Sequence, residues 1–140
     1  EAAAVLLQSD KDAPTIVREA QEAGTFLPGL GHKIYKDLDP RAELLFDTAS
    51  ELGIAAEYVA KERALKEELA GRGVVLPINI DGAIAALMCE MGFDARLGKA
   101  LFILGRLPGM IAHIHEEMVN EKSYRRIDSA DVEYAEPNEN

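Results

Sequence analysis

Apolar residues recur every three or four positions through most of the chain, and this periodicity predicts an all-α fold. Helix-start and helix-stop residues mark the ends of the periodic segments, such as Asp-Pro at 39–40 and Gly24. Helices are expected over residues 2–7, 12–24, 40–52, 55–70, 83–91 and 95–119. The run at 74–80 is β-like, but it contains Pro77 and has no partner strand, so an extended connection is expected there.

The helix at 55–70 is the most polar of the set, and its charges predict a solvated face. Glutamate precedes lysine by four residues in two pairs, Glu57–Lys61 and Glu62–Lys66, the order that stabilises an exposed helix. The segment 83–91 is instead apolar nearly all round, so it is expected to be buried. The apolar residues expected on the core faces of the two middle helices are Ala42, Leu45, Phe46, Ala49, Leu52, Tyr58, Val59, Leu65 and Leu69.

The last helix, at 95–119, has a strongly apolar centre. Lys99 and Arg106 interrupt that centre and no apolar run reaches about 18 residues, so a buried helix is expected rather than a membrane span. Pro108 should kink it, because an interior proline removes a backbone hydrogen bond. His113 is expected to be a hydrogen-bonded core residue, and the polar segment from Ser123 onward is expected to be irregular.

Composition narrows the class of protein. The 140 residues are 48% apolar, enough for one globular core, and the net charge of −10 argues against a nucleic-acid or anionic-membrane partner. The single cysteine, Cys89, excludes an internal disulfide and fits a reducing, cytoplasmic compartment. The N-terminus at Glu1 lacks a signal peptide and an initiator methionine, and it falls in a helical pattern, so a fragment of a longer protein is expected.

The stretch 28–41 has the features of a binding loop. Two glycines precede His32 and allow the backbone a close approach to a ligand, and Asp39 with proline should place Arg41 on the first turn of a helix. Taken singly, His32 and Arg41 are better explained by a turn and a capped helix with solvated charges than by a binding site. Together they favour a site for a small anion.

Asp81 and Arg106 each allow a structural and a functional interpretation. Asp81 precedes an apolar helix, where it is either the N-cap or a partly desolvated general acid or base. Arg106 lies in an apolar segment and needs an internal carboxylate or a bound anion to offset its desolvation.

The order Gly-His, Asp-Pro-Arg, Asn-x-Asp, Gly-Arg-x-x-Gly and Tyr-Arg resembles the C-terminal half of the citrate synthase superfamily. The resemblance covers nearly the whole chain. It implies that residues 1–90 form the small, substrate- and coenzyme A-binding domain and that 91–140 are the closing helices of the large domain. It also implies that the family's other catalytic histidine would precede Glu1.

The resemblance implies catalytic roles for His32, which would act on the substrate's carbonyl or alcohol oxygen, and for Asp81, which would be the acid or base at the acetyl carbon. Three arginines would bind carboxylates and three further residues would contact coenzyme A: Arg41, Arg106 and Arg125 (or Arg126, where the register is loose) for the carboxylates, and Leu30, Gly31 and Lys36 for the coenzyme.

After the aspartate, citrate synthases usually carry a bulky residue and then Ser-Gly, whereas this chain has Gly82 and Ala83. The Asn-x-Asp-Gly form is similar to citryl-CoA lyases and to the lyase module of ATP-citrate lyase. It implies cleavage of citryl-CoA to acetyl-CoA and oxaloacetate by a cytoplasmic homodimer, with coenzyme A as a thioester substrate and no metal or tightly bound cofactor. Citrate synthase is the alternative within the enzyme class, and a catalytically silent coenzyme A- or citrate-binding or assembly module is the alternative outside it.

Overall fold

The computed structural model describes residues 1–122, and they form α-helices without a regular strand. The helices are α1 (Ala2–Leu7), α2 (Ala13–Ala23), α3 (Pro40–Glu51), α4 (Glu57–Gly71), α5 (Ile80–Glu90) and α6 (Gly98–Asn120), with a 3₁₀ turn at Ala95–Leu97. The all-α prediction is therefore confirmed.

Two helix starts form as the sequence predicts. Asp12 Oδ1 accepts the N–H of Thr15 at 3.0 Å and caps α2, which Gly24 ends in the left-handed conformation (φ +63°). Asp39 Oδ1 accepts the N–H of Arg41 at 3.1 Å and caps α3. Both caps are local, because donor and acceptor lie two or three residues apart.

Helix α5 is the centre of the fold and packs against α1, α3 and α4, while α2 packs against α4. Its apolar character is explained by this position, and the predicted burial is confirmed for Ala83, Ala86 and Met88. The helix begins at Ile80, three residues earlier than expected, because Asn79 supplies the cap.

Two predictions about the middle helices are wrong. Leu52 follows α3 and is 69% exposed, because the helix ends at Glu51 before that side chain reaches the core. The expected solvated pairs of α4 do not form: Glu62 is completely buried, and Lys61 Nζ donates to the carbonyl oxygens of Leu7 and Ser9 at the end of α1. Lys61 thereby satisfies carbonyl groups that the C-terminus of α1 leaves open.

The extended segment before α5 pairs with the loop at residues 28–39, which we call the glycine loop. Gly31 N–H donates to the Pro77 carbonyl at 2.8 Å, and Asn79 N–H donates to the Gly29 carbonyl at 2.9 Å, forming an isolated antiparallel bridge. The expected extended connection is confirmed, and its partner is the loop that carries His32. Gly29 and Gly31 adopt φ of +99° and +88°, a conformation that favours glycine.

Residue contacts divide the chain into two units, 1–104 and 105–140, with the boundary inside α6. The expected domain boundary near residue 90 rests on the family resemblance and stays a prediction. In the second unit the described residues, 105–122, are helical up to Asn120, and α6 continues through Pro108.

The expected burial of the last helix is wrong for this chain. Ile111 is 58% exposed and Met118 is 76% exposed, and His113 is also exposed, with Nδ1 3.7 Å from Glu116 Oε2. Residues Ala95–Asn120 are long and apolar enough to cross a membrane, with mean hydropathy 1.3, but many core helices of soluble proteins share that property.

Candidate active site

His32 is held in a defined orientation by the backbone that follows it. Its Nδ1 accepts the N–H groups of Ile34 and Tyr35, both at 3.1 Å. The ring also stacks on Tyr35, with centroids 4.8 Å apart. Because Nδ1 is an acceptor, the neutral imidazole carries its proton on Nε2, which is left to face the site as a donor.

Arg41 lies beside the Nε2–H donor of His32. Its Nη2 lies 3.2 Å from His32 Nε2, and its guanidinium lies 5.5 Å from the centre of the Tyr35 ring. In this tautomer His32 Nε2 and Arg41 Nη2 are both hydrogen-bond donors, so neither can accept a hydrogen bond from the other. The pair is instead suited to converge on one acceptor oxygen of a ligand, such as a carbonyl or a carboxylate.

Asp39 fixes the direction of Arg41. Its two carboxylate oxygens accept from Arg41 Nε at 2.9 Å and Nη2 at 2.7 Å, and Oδ2 also accepts the N–H of Ile80 at 3.2 Å. Asp39 is 1% exposed, and hydrogen bonding from Arg41 lowers the pKa of its carboxyl. One buried carboxylate therefore joins the start of α3, the guanidinium and the start of α5.

Asp81 lies in the first turn of α5 and is exposed. The cap of that helix is Asn79, whose Oδ1 accepts the N–H groups of Asp81 and Gly82 at 2.9 and 3.0 Å. The N-cap interpretation of Asp81 is therefore wrong, and its carboxylate remains available for chemistry. Hydrogen bonding to Asp39 raises the pKa of Arg41, and the negative charge of Asp81 contributes to the same shift.

A cavity of about 630 Å³ borders Asp81 within the first unit. Its walls are mostly apolar and come from α1, the glycine loop, α5 and the first turn of α6. They include Ala3, Leu27, Leu30, Ile84 and Phe102, with Lys99 as a cation. An apolar cavity edged by a few polar groups is the usual form of a small-molecule site.

The chain matches the family described as citrate synthase, C-terminal domain, over residues 2–127. It belongs to the citrate synthase family. The resemblance inferred from the motif order is thereby confirmed.

This chain is similar in sequence or structure to several proteins of known name. The citryl-CoA lyase from Hydrogenobacter thermophilus superposes with a TM-score of 0.84 at 42% identity, covering 97% of this chain and 56% of that one. The ATP citrate lyase from Methanothrix soehngenii, solved with citrate and coenzyme A, gives a TM-score of 0.73 at 28% identity, covering 99% of this chain and 26% of that one. Citrate synthase 1 of Mycobacterium tuberculosis is 36% identical over 121 residues, 77% of this chain and 27% of that protein. The chain thus spans about a quarter of the length of that citrate synthase.

The structure brings together some of the residues that the family resemblance implies, but not all. His32 and Arg41 are in contact, and Asp81 is close enough to act on Arg41 electrostatically. Arg106 belongs to the second unit, and Arg125 and Arg126 lie outside the described residues.

Arg106 is not buried as its apolar neighbours suggested. It is exposed on α6, and its guanidinium folds over Gly109, with Nη1 2.6 Å from the position that a Cβ of Gly109 would occupy. Solvent removes the desolvation cost that seemed to require a partner, so no ion pair is needed within residues 1–122.

The three residues expected to contact coenzyme A are differently placed. Lys36 is exposed, and Leu30 is buried beside the bridge to Ile78. Gly31 uses its N–H for Pro77, and its carbonyl accepts from Asn79 Nδ2 at 2.9 Å, so in this conformation it holds the loop against the extended segment. Their coenzyme A contacts stay predictions.

Sequence reasoning missed Glu62, although a signal was present. Position 62 lies three or four residues from Tyr58, Val59 and Leu65, so it falls on the apolar face of α4. The glutamate–lysine spacing pointed to the opposite face. The role of Asp39 beyond capping was also missed, because its contact with Ile80 joins residues 41 positions apart.

Proposed function

We propose that the protein containing this chain is a citryl-CoA lyase, which cleaves citryl-CoA to acetyl-CoA and oxaloacetate. The observation that carries the proposal is the pair of donors formed by His32 Nε2–H and Arg41 Nη2, which lie 3.2 Å apart. Two such donors suit the oxygen that changes from alcohol to ketone and the carboxylate beside it. The ATP citrate lyase from Methanothrix soehngenii was solved with citrate and coenzyme A, which supports the same substrate class.

The proposed reaction is a retro-Claisen cleavage. The carbon–carbon bond to the acetyl group breaks, its electron pair passes to the thioester as an enolate, and the alcohol oxygen becomes the keto oxygen of oxaloacetate. The hydroxyl loses one proton and the acetyl carbon gains one, so the reaction requires no oxidant or reductant.

His32 and Asp81 would divide this chemistry between them. The Nε2–H of His32 would donate a hydrogen bond to the oxygen as it becomes a ketone, a role that its tautomer supports. Asp81, as a carboxylate, would accept the hydroxyl proton and then return it to the enolate carbon. Arg41, aligned by Asp39, would hold a carboxylate through its remaining N–H groups.

Citrate synthase is the second candidate, because a curated relative with that name shares 36% identity with the chain. The residue after Asp81 favours the lyase. Gly82 cannot carry a side chain here, since a Cβ would lie 2.5 Å from the Gly29 carbonyl oxygen. The bulky residue that citrate synthases usually have after the aspartate would therefore require the glycine loop to lie in a different position.

The test is an assay of the full-length protein in both directions. A lyase converts citryl-CoA to acetyl-CoA and oxaloacetate in equal amounts and releases no free coenzyme A. A synthase given acetyl-CoA and oxaloacetate releases free coenzyme A and citrate. Asp81→Asn should lower the activity at least about a hundredfold, while Asp47→Asn, the same change at an exposed position of α3, should leave it intact. Failure of both reactions would favour a catalytically silent module.

We also propose that the protein is a cytoplasmic homodimer in which a second copy covers the apolar face of α6. The exposed apolar residues of that helix within the described part include Leu107, Ile111 and Ile114, and a surface of this kind is typical of an interface. Sedimentation of the full-length protein tests this, and a stable monomer that retains activity would contradict it.

A further inference from the structure

Glu62 is a buried carboxyl group that the proposed chemistry does not use. It is 0% exposed, and neither carboxyl oxygen has a hydrogen-bond partner among the described residues. A buried polar group without a partner is costly, more so when it is charged, so its position needs a reason.

The carboxyl group fills the space left by two glycines. Glu62 Oε1 lies 2.7 Å from the position that a Cβ of Gly29 would occupy and 2.4 Å from that of Gly82. The Gly29 carbonyl oxygen approaches the same Gly82 position to 2.5 Å. The glycine loop and α5 therefore touch backbone to backbone, with the Glu62 carboxyl directly against the contact; we call this the Gly29–Gly82 contact.

The Gly29–Gly82 contact determines where the candidate catalytic groups lie. On one side the loop continues from Gly29 to His32, and on the other Asp81 immediately precedes Gly82. The Gly29 carbonyl also accepts the N–H of Asn79, the cap of α5. A displacement at this contact would move His32 and Asp81 relative to each other.

The charge state of Glu62 decides how well it fits this space. Burial raises the pKa of its carboxyl from 4.5 to about 7, because desolvation disfavours the charged form. Lys61 is the adjacent cation on α4, but its ammonium donates to the Leu7 and Ser9 carbonyls. Helix α1 (Ala2–Leu7) carries no titratable side chain. The other surrounding elements carry further titratable groups: Asp81, Cys89 and Glu90 on α5, Arg18, Glu19 and Glu22 on α2, and His32, Lys33, Tyr35, Lys36, Asp37 and Asp39 in the loop.

We propose that Glu62 is a positioning residue that, as a neutral acid, holds the glycine loop against α5. Its ionisation opens the Gly29–Gly82 contact and separates His32 from Asp81. The neutral acid can donate its proton to a backbone carbonyl, and the Gly29 oxygen approaches the same Gly82 position as Glu62 Oε1 does. The anion would instead face that oxygen without a proton between them, and it would draw in water or push the loop away. The proposal of an effect on turnover rests on the lyase function; the proposal of loop displacement does not.

The first experiment measures kcat of the full-length protein for citryl-CoA between pH 6 and 8.5. In the wild type, kcat should fall with a midpoint near pH 7, to about a tenth of its plateau one pH unit above the midpoint. Glu62→Gln, which stays neutral, should lack this fall. Glu67→Gln, the same change at an exposed position of α4, should keep the wild-type profile. Glu62→Met serves as a second neutral variant should the amide destabilise the fold. An unchanged alkaline fall in a folded neutral variant would overturn the proposal.

The second experiment does not depend on activity. The backbone amide resonances of Gly29 and Gly82 should shift together with a midpoint near pH 7 in the full-length wild-type protein, and should not shift in Glu62→Gln. Shifts without turnover would support the positioning role and refute the lyase function. Turnover with resonances that do not move near pH 7 would support the lyase function and refute the positioning role.

Discussion

At the scale of single residues, the site is determined by which hydrogen-bonding groups are already occupied. His32 Nδ1 is occupied by two backbone donors, and the Asp39 carboxylate by Arg41 and Ile80. His32 Nε2 and the exposed carboxylate of Asp81 remain for a ligand. The groups that the backbone leaves free are the ones assigned to chemistry.

Asp81→Asn tests the catalytic assignment at this scale. Because Asn79 caps α5 and Asp81 is exposed, the variant should lose less than about 1 kcal/mol of stability, mainly from the helix dipole. Turnover of the full-length protein should fall at least about a hundredfold, since asparagine has no proton to transfer. Thermal melts and kcat give both quantities.

The matched control for this variant is Asn79→Ala. It removes the side chain that caps α5, so it should cost about 1 kcal/mol or more of stability. Asp81→Asn with normal turnover would show that another group transfers the proton.

Arg41→Lys separates charge from geometry. Lysine keeps the positive charge but cannot donate to both Asp39 oxygens while also facing a ligand beside His32. KM for citryl-CoA should rise at least about tenfold, whereas Arg18→Lys at an exposed pair on α2 should leave it unchanged. An unaltered KM in Arg41→Lys would mean that the guanidinium does not bind the substrate.

At the scale of elements, the start of α4 depends on a residue from another helix. The residue before α4, Ala56, has no capping side chain, and Glu90 at the end of α5 supplies the acceptor. Glu90 Oε1 accepts hydrogen bonds from the N–H groups of Ala56, Tyr58 and Val59 at 2.9, 2.7 and 3.0 Å. This carboxylate joins α5 to α4, the helix that carries Glu62.

Glu90→Ala should destabilise the protein by about 1–3 kcal/mol, because three backbone N–H groups at the start of α4 lose a charged acceptor. Glu90→Gln should lose less, since the amide oxygen can still accept. Hydrogen exchange at the first-turn amides of α4 localises the effect: these should exchange faster in Glu90→Ala, and Glu67→Gln should match the wild type. Uniformly faster exchange across all helices would contradict a local capping role.

At the scale of the whole molecule, Glu62 should make stability depend on pH in an unusual direction. The pKa of this carboxyl is about 7 in the folded protein and near its ordinary value of 4.5 when the chain unfolds. Between these values the unfolded state releases a proton that the folded state keeps, so stability falls as pH rises from 4.5 to 7 and is constant above and below that window.

The expected loss across the window is about 3 kcal/mol. Chemical denaturation of the full-length protein at pH 5 and pH 8 measures it, with Glu62→Gln expected to be nearly insensitive to pH in this range. Asp39 contributes in the opposite sense, because Arg41 lowers the pKa of its carboxyl and its stabilisation is lost only in more acidic solution. Equal pH dependence in wild type and Glu62→Gln would exclude Glu62 as the source.

Much of the fold and part of the candidate site could be predicted from the sequence because their causes are local. The caps formed by Asp12 and Asp39 need partners only two or three residues away. The motifs around His32, Arg41 and Asp81 were enough to indicate the citrate synthase family, which the family match confirms.

Tertiary structure alone decided the features whose partners are distant in sequence. Asn79 rather than Asp81 caps α5, because the bridge to Gly29 fixes where the extended segment ends. Glu90 caps a helix that begins about 30 residues earlier, and Glu62 is buried against two glycines that the chain brings together from either side of it. Helical periodicity and charge spacing describe one helix at a time, whereas burial and capping across helices depend on which surfaces meet.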